Sequence, residues 1–175
     1  MIYLDKLLVV VDMQVDFVDG SLGSPEAQQI IPRVVEKVKN ALKNENTVVY
    51  TMDTHGENYL ETLEGRNLPV EHCIKGTEGW ELIPELEGLL PELHQFKKST
   101  FGSLDLVWES QKKSFSEIEL CGVCTDICVV SNALLLRAAC PNTKIVVDSL
   151  ATAGSSKEAH AAALLVMQKN HIDVV

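Results

Sequence analysis

Short apolar runs and helical patterns alternate along almost the whole chain, and this alternation leaves few folds available. Apolar runs typical of buried strands cover residues 7–11, 47–52, 95–98, 116–123, 144–147 and 172–175. Helical patterns lie between most of these runs, at residues 25–42, 104–109, 126–139 and 157–170. Strands separated by helices predict a parallel sheet with right-handed crossovers and helices on both faces. We therefore expect a single-domain, three-layer α/β/α fold that is Rossmann-like and spans residues 1–175.

Four chemically competent residues follow the first four predicted strands. Asp12, Asp53 and Lys98 end the first three strands, and Cys128 follows the fourth. In an open parallel sheet the ligand site lies beyond the carboxyl ends of the strands, where the strand order reverses. We therefore expect these four side chains to meet in one site. The weakly periodic stretch 56–91 is long for a connection, which predicts a functional loop rather than a linker.

The segment 122–128 places a cysteine near the start of a helix, directly after a strand. Unpaired N–H groups and the positive end of the helix dipole favour a thiolate at such a position. We interpret Cys128 as a nucleophile that attacks a carbonyl carbon and forms a thioester. The backbone N–H groups of Cys124 and Cys128 are the candidate oxyanion hole. The other four cysteines are interpreted as small buried apolar residues, as most free cysteines are.

Two charged residues accompany this nucleophile. Asp12 is the candidate general base, which takes the thiol proton and later returns it to the leaving ammonia. Burial raises the pKa of a carboxyl group, and a nearby cation opposes that shift. Lys98 is the candidate cation, and strand alternation predicts that Lys97 points the opposite way. Two simpler interpretations stay open, a turn-capping acid for Asp12 and a solvated surface lysine for Lys98.

A metal site is predicted in the long connection after the second strand. Asp53 and His55 lie two residues apart and can both reach one ion. His72 and an acid such as Glu64 would complete a set of oxygen and nitrogen donors. Such a set suits one divalent ion, with zinc as the first choice and manganese or iron as alternatives. A structural role for the Asp-x-His triplet stays open, because the triplet alone is a weak signal.

The spacing of Cys121 and Cys124 also matches a redox C-x-x-C pair, and together with Cys128 these cysteines suggest a zinc site. Alternation along the strand would place the thiols of Cys121 and Cys124 on opposite faces, which disfavours both interpretations. A non-enzymatic alternative, a redox or binding protein, rests on this pair.

Composition restricts the partners. The 175 residues include 25 acidic and 15 basic ones, and the net charge of −10 disfavours nucleic acid and favours a neutral small-molecule substrate. Residues 1–6 lead into an apolar stretch too short for a signal peptide, and nothing approaches a transmembrane length. We therefore expect a cytoplasmic protein that does not bind membranes, with its five cysteines as thiols.

Three motifs resemble those of the isochorismatase-like cysteine hydrolases, and within them the nicotinamidases. The sequence VVDMQVDF resembles the opening D-x-Q-x-D-F motif, KSTF resembles the lysine motif, and GVCTDICV resembles the nucleophile motif, at residues 10–17, 98–101 and 122–129. The resemblance implies an isochorismatase-like hydrolase fold in which Asp12, Lys98 and Cys128 are catalytic. It also implies a cis peptide at Val123–Cys124 and an aromatic contact of Phe17 with the substrate ring.

The resemblance further implies a metal ion that holds a pyridine nitrogen. Asp53, His55 and His72 fall where nicotinamidases place its ligands, and the spacing favours Glu64 over its rival Glu61 as a further ligand. The implied reaction is the hydrolysis of nicotinamide to nicotinate and ammonia, a step of NAD salvage, by a homo-oligomer. The alternative enzyme is a related cysteine amidase that acts on an N-carbamoyl or other small amide.

Overall fold

The computed structural model describes residues 5–175, and six parallel strands within this range form one central sheet. The strands are β1 (Lys6–Val11), β2 (Thr47–Asp53), β3 (Gln95–Lys98), β4 (Glu117–Val123), β5 (Lys144–Ala153) and β6 (Asp173–Val174). Their order across the sheet is β3-β2-β1-β4-β5-β6, so the winding reverses between β1 and β4. This doubly wound order confirms the predicted α/β class and puts the switch point beside the end of β1.

Helices cover both faces of the sheet. They are α1 (Val15–Val18), α2 (Pro25–Gln29), α3 (Ile31–Lys43), α4 (Leu63–Asn67), α5 (Leu104–Gln111), α6 (Val130–Ala139) and α7 (Lys157–Lys169). On β1, Leu8 and Val10 pack with side chains of α2 and α3, whereas Leu7, Val9 and Val11 pack with side chains of α5, α6 and α7. Because both faces of this strand are buried, its sequence is apolar from residue 7 to 11. The predicted three-layer arrangement is therefore confirmed.

The helix expected over residues 25–42 is instead two helices, α2 and α3, which meet at Ile30. The prediction of one continuous helix was wrong because it placed Pro32 in a helix interior. In the structure Pro32 is the second residue of α3, where its missing N–H removes no helical hydrogen bond. Ser24 begins α2 by accepting the N–H of Ala27 at 3.0 Å.

Strand β5 continues to Ala153, although the apolar run predicts an end at residue 147. The register with β4 shifts across this extension. Asp148 is tolerated there because Arg33 Nε and Lys37 Nζ of α3 lie 2.8 and 2.6 Å from its carboxylate. The extension carries the end of β5 to the edge of the sheet where the site is found.

The connection between β2 and β3 contains only short helical segments, as the weak periodicity of residues 56–91 predicts. They are Tyr59–Glu61, α4, Glu78–Trp80 and Glu92–His94. Within the described range 5–175, no helix combines the length and apolarity needed to cross a membrane. The expectation about the N-terminal segment rests partly on residues 1–4, which lie outside the described residues.

Candidate active site

Three side chains converge at the carboxyl ends of the central strands. Lys98 Nζ lies 2.6 Å from Asp12 Oδ2 and 3.5 Å from Cys128 Sγ. All three residues are buried, and none exposes more than 6% of its surface. Lys97 is exposed instead, with its Nζ 5.2 Å from the centre of a Trp80 ring. The structure thus brings together the predicted acid/base, cation and nucleophile, and Lys98 is not a solvated surface lysine.

Burial and mutual charge set the protonation of these three groups. Burial and the Asp12 carboxylate raise the pKa of Cys128 well above its usual value, although Lys98 opposes this. Burial also raises the pKa of Asp12, and Lys98 again opposes the shift. Burial alone would lower the pKa of Lys98, but Asp12, Cys128 and Asp53 outweigh it and raise that pKa. Burial and Asp12 therefore disfavour the Cys128 thiolate, a direction opposite to that expected from the start of a helix.

Cys128 lies in a tight turn at the switch point of the sheet. A π-helical turn, Thr125–Val129, precedes α6, and the peptide Val123–Cys124 before it is cis, as the resemblance implies. Gly122 has a φ of +111°, and a Cβ on it would lie 2.1 Å from the carbonyl oxygen of Val11. Only glycine therefore fits where β4 passes the end of β1.

Asp12 is fixed by its backbone and by Thr51. Its φ of 48° lies in the left-handed region, which is uncommon for a residue other than glycine. Thr51 Oγ1 donates to Asp12 Oδ1 at 2.6 Å, and the Asp12 N–H lies 3.2 Å from the same hydroxyl. Asp12 Oδ2 is thereby left to face Lys98, so the carboxylate does not simply cap the following turn. The sequence analysis missed Thr51, although alternation along β2 puts it on the same face as Asp53.

Beside these groups, the donor atoms of Asp53, His55, Glu64 and His72 all lie within 4.8 Å of one another. Asp53 Oδ2 is 2.9 Å from His55 Nε2 and 3.4 Å from His72 Nε2. Glu64 Oε1 is 3.6 Å from His55 Nε2 and 3.7 Å from His72 Nε2. Two carboxylates and two imidazoles at these separations fit a single divalent ion. Glu61, the rival of Glu64, is exposed and lies outside the cluster.

Neighbouring groups orient this cluster. His72 Nδ1 lies 2.8 Å from the carbonyl oxygen of Val70, so Nδ1 carries the proton and Nε2 faces the other donors. The fully buried amide of Gln14 donates to Asp53 O and accepts the Asp53 N–H, both at 2.8 Å. The ring of Tyr59 packs against both imidazoles, at centroid distances of 4.7 and 5.0 Å. The sequence placed Gln14 in a motif but did not reveal that it fixes the end of β2.

Cys128 and the donor cluster share a cavity of about 300 Å³. Its wall contains Cys128 and Cys124, three of the donor residues and Phe17, whose ring centroid lies 5.4 Å from that of His72. Most of the remaining wall is apolar and includes Leu22, Ala27, Leu68, Phe101 and Ile127. A small molecule with an apolar body therefore fits between the nucleophile and the donor cluster. The oxyanion role of the Cys124 and Cys128 N–H groups stays a prediction.

The cysteines at 121 and 124 have different surroundings. Cys121 is fully buried in the core, whereas Cys124 is partly exposed and lines the cavity. Burial raises the pKa of Cys124 to about 12. Among residues 5–175, all cysteines are free thiols and no cysteine joins a cluster of metal donors. Both cysteines pack with the apolar cluster on the α2 and α3 side of the sheet, so the predicted placement on opposite faces is not observed, and the described residues contain no disulfide and no cysteine zinc site.

Comparison with known proteins agrees with this geometry. The isochorismatase domain matches residues 6–175. The chain belongs to the isochorismatase family. The uncharacterized isochorismatase family protein PncA of Bacillus subtilis is 35% identical over 171 residues, which cover 91% of this chain and 92% of the relative. The predicted family is thereby confirmed.

Two further similar proteins are named for an activity. The nicotinamidase/pyrazinamidase of Mycobacterium tuberculosis is 25% identical over 185 residues, covering 97% of this chain and 98% of the relative. The crystal structure of the pyrazinamidase of Pyrococcus horikoshii in complex with zinc has a TM-score of 0.85 and 29% identity, and covers 98% of each chain. These relatives bear out the prediction of a hydrolytic amidase.

Proposed function

We propose that this isochorismatase family member hydrolyses nicotinamide to nicotinate and ammonia through a thioester on Cys128. One observation carries the proposal. Lys98 Nζ contacts both Asp12 and Cys128, and the cavity that reaches Cys128 also reaches the cluster of metal donors. A pyridine amide needs both parts, one for its amide carbon and one for its ring nitrogen. The relatives named nicotinamidase/pyrazinamidase and pyrazinamidase add support.

The first half of the reaction transfers the acyl group to sulfur. Asp12 takes the proton of the Cys128 thiol, and Sγ attacks the amide carbon to give a tetrahedral oxyanion. The backbone N–H groups of Cys124 and Cys128 stabilise this oxyanion. Asp12 then returns the proton to the amide nitrogen, the C–N bond breaks and ammonia leaves. The acyl group remains on Cys128 as a thioester.

The second half releases the acid. Asp12, now a carboxylate, takes a proton from water, and the oxygen of that water attacks the thioester carbon. The C–S bond breaks, nicotinic acid leaves and gives up its proton in solution to become nicotinate, and the sulfur of Cys128 regains the proton held by Asp12. Lys98 keeps its positive charge throughout, so it stabilises the thiolate both as nucleophile and as leaving group.

The donor cluster would recognise the ring. Asp53, His55, Glu64 and His72 would hold one divalent ion, and zinc is the proposed metal. When bound, the ion supplies a Lewis acid that holds a pyridine nitrogen. Phe17, beside His72, would stack on the ring face. Ring recognition and bond cleavage therefore depend on different side chains.

A second function uses the same three catalytic residues on a substrate that has no aromatic ring. A cysteine amidase for an N-carbamoyl or other small amide is compatible with the aliphatic part of the wall, formed by Leu22, Leu68 and Ile127. Such a wall can contact an aliphatic substrate as well as an aromatic one. Metal content distinguishes the two functions, because this amidase does not need the donor cluster.

The test is ammonia release from nicotinamide by the purified protein, with metal content measured on the same sample. We expect turnover with one metal ion per chain. Cys128→Ala should lower turnover by at least about 10³-fold without unfolding the chain, since only a sulfur atom is lost. Cys140→Ala is the matched control, because Cys140 is a free, partly exposed thiol that does not line the cavity.

The outcomes separate the hypotheses. Turnover by Cys128→Ala near the parent rate would disprove the thioester mechanism. No ammonia from a folded, metal-free parent would instead favour the second function, to be followed with a set of small amides. Turnover of nicotinamide without stoichiometric metal would show that the donor cluster is not needed to recognise the ring.

A further inference from the structure

The amide of Asn132, on α6, is fully buried and joins two parts of the site. Its Nδ2 donates to the carbonyl oxygen of Cys128 at 2.8 Å and to that of Phe101 at 3.2 Å. Its Oδ1 accepts the N–H of Ser103 at 2.9 Å. Both amide protons and one lone pair are therefore used. The amide bridges the nucleophile turn and the loop that follows β3.

That loop directly follows Lys98, so the bridge connects the segments that carry the cation and the nucleophile. Lys98 ends β3 and Cys128 follows β4, and two other strands separate β3 from β4 in the sheet. No sheet hydrogen bond therefore fixes their distance directly. The 3.5 Å between Lys98 Nζ and Cys128 Sγ depends on how the loop and the turn are held together. Packing of Gly102 against Leu135 of α6 adds to the same contact.

We propose that Asn132 is a positioning residue for the hydrolysis, which holds Cys128 against Lys98 and Asp12 by hydrogen-bonding two backbone segments. Asn132 does not line the cavity, so it acts through Cys128 and Phe101, which do. A buried amide is costly unless its hydrogen bonds are made, and here all of them go to the two segments that must stay in register. The expected effect of Asn132 on turnover rests on the proposed function.

The test compares two substitutions of similar size. Asn132→Leu removes every hydrogen bond, whereas Asn132→Asp keeps an acceptor for the Ser103 N–H and removes the two donors. Ser110→Ala is the control, because the buried Ser110 hydroxyl of α5 donates to Val107 in its own helix and does not touch the turn. We expect kcat to fall at least about tenfold in both Asn132 variants, because small displacements of reacting groups are costly. The KM should stay within about twofold, because the donor cluster and Phe17 are untouched.

A second readout needs no knowledge of the substrate. The rate of Cys128 alkylation by chloroacetamide, followed on its peptide by mass spectrometry, should fall at least about threefold in both variants, since the thiol is less well paired with its base and cation. If the parent releases no ammonia from nicotinamide, the proposed function fails, and the alkylation rates alone still decide the role of Asn132. Unchanged or faster alkylation in a folded variant, unchanged kcat, or loss of metal would overturn the inference. If Asn132→Leu does not fold, the kcat and the alkylation rate of Asn132→Asp alone test the role of Asn132.

Discussion

Lys98 is the residue on which the electrostatics of the site depend. Its Nζ lies within 3.5 Å of side-chain atoms of Asp12, Asp53 and Cys128, so one buried charge faces two carboxylates and a thiol. Uncompensated buried charges cost about 3–5 kcal/mol when one partner of a pair is removed. Removal of this ammonium would therefore leave two carboxylates buried without a compensating charge. Lys98 also connects the nucleophile to Asp53, the donor at the end of β2.

The residue that completes the donor cluster can be identified by a matched pair of substitutions. Glu64→Gln should lower zinc affinity by at least about tenfold, because a neutral amide replaces a charged oxygen donor. Glu61→Gln, in the same connection but exposed, should leave the affinity unchanged. Competition with a chromophoric chelator measures both. Equal losses in the two variants would show that charge near the site, rather than a ligand at position 64, determines binding.

At the scale of the element, β4 can reach the switch point only with glycine at position 122. Gly122→Ala should lower the free energy of unfolding by more than about 2 kcal/mol, because a Cβ would collide with Val11 and the positive φ adds strain. Gly88→Ala is the control for strain alone, since Gly88 has a φ of +77° but open space around it, and we expect a cost of about 1 kcal/mol. Denaturant unfolding gives both values. Similar losses would mean that strain, and not the close approach of the strands, requires Gly122.

The elements that the sequence predicted well are those specified by local pattern. The apolar runs predicted the starts of all six strands to within one residue, and the residues at or after the strand ends included the catalytic candidates. The extension of β5 could not be predicted, because Asp148 stays in the sheet only through Arg33 and Lys37, which are remote in sequence. Thr51 and Asn132 were missed for the same reason, since their roles depend on contacts between elements.

At the scale of the whole molecule, the donor cluster connects the sheet to the long connection beside it. Binding of an ion only in the folded state stabilises by about 2.7 kcal/mol at a hundredfold excess over Kd. We therefore expect chelator treatment to lower the Tm by roughly 5–10 °C for a chain of this size. Added zinc should restore the Tm of the parent, and Glu64→Gln should show a smaller response. A Tm that is insensitive to chelator and zinc would contradict a metal site here.

Ion pairs between Asp148 of β5 and Arg33 and Lys37 of α3 make the free energy of unfolding depend on pH. Burial raises the pKa of Asp148, but Lys37 and Arg33 outweigh it and hold that pKa below its ordinary value of 3.8. The carboxylate therefore stabilises the fold above about pH 4, and this contribution is lost as the pH falls further. Asp148→Asn should cost about 1–2 kcal/mol at pH 7, because the cations are partly exposed, and the difference from the parent should vanish in acid.

The control for this pH dependence is Glu117→Gln. Glu117 pairs with Lys6 and Lys144, whose side chains are more than half exposed, so its loss should cost little. Unfolding curves at several pH values compare the two variants with the parent. A constant deficit of Asp148→Asn across the range would show that the lost contact is not ionic.

The connection between β2 and β3 has a consequence for how such enzymes diversify. His55, Glu64 and His72 all lie in it, whereas the three catalytic candidates lie outside it. A single contiguous exchange at this place would therefore replace three of the four donor residues and leave Asp53, Phe17 and the three catalytic candidates unchanged. Under the proposed function, recombination between related genes at this connection would change selectivity in one event, and a designer can graft the segment in the same way.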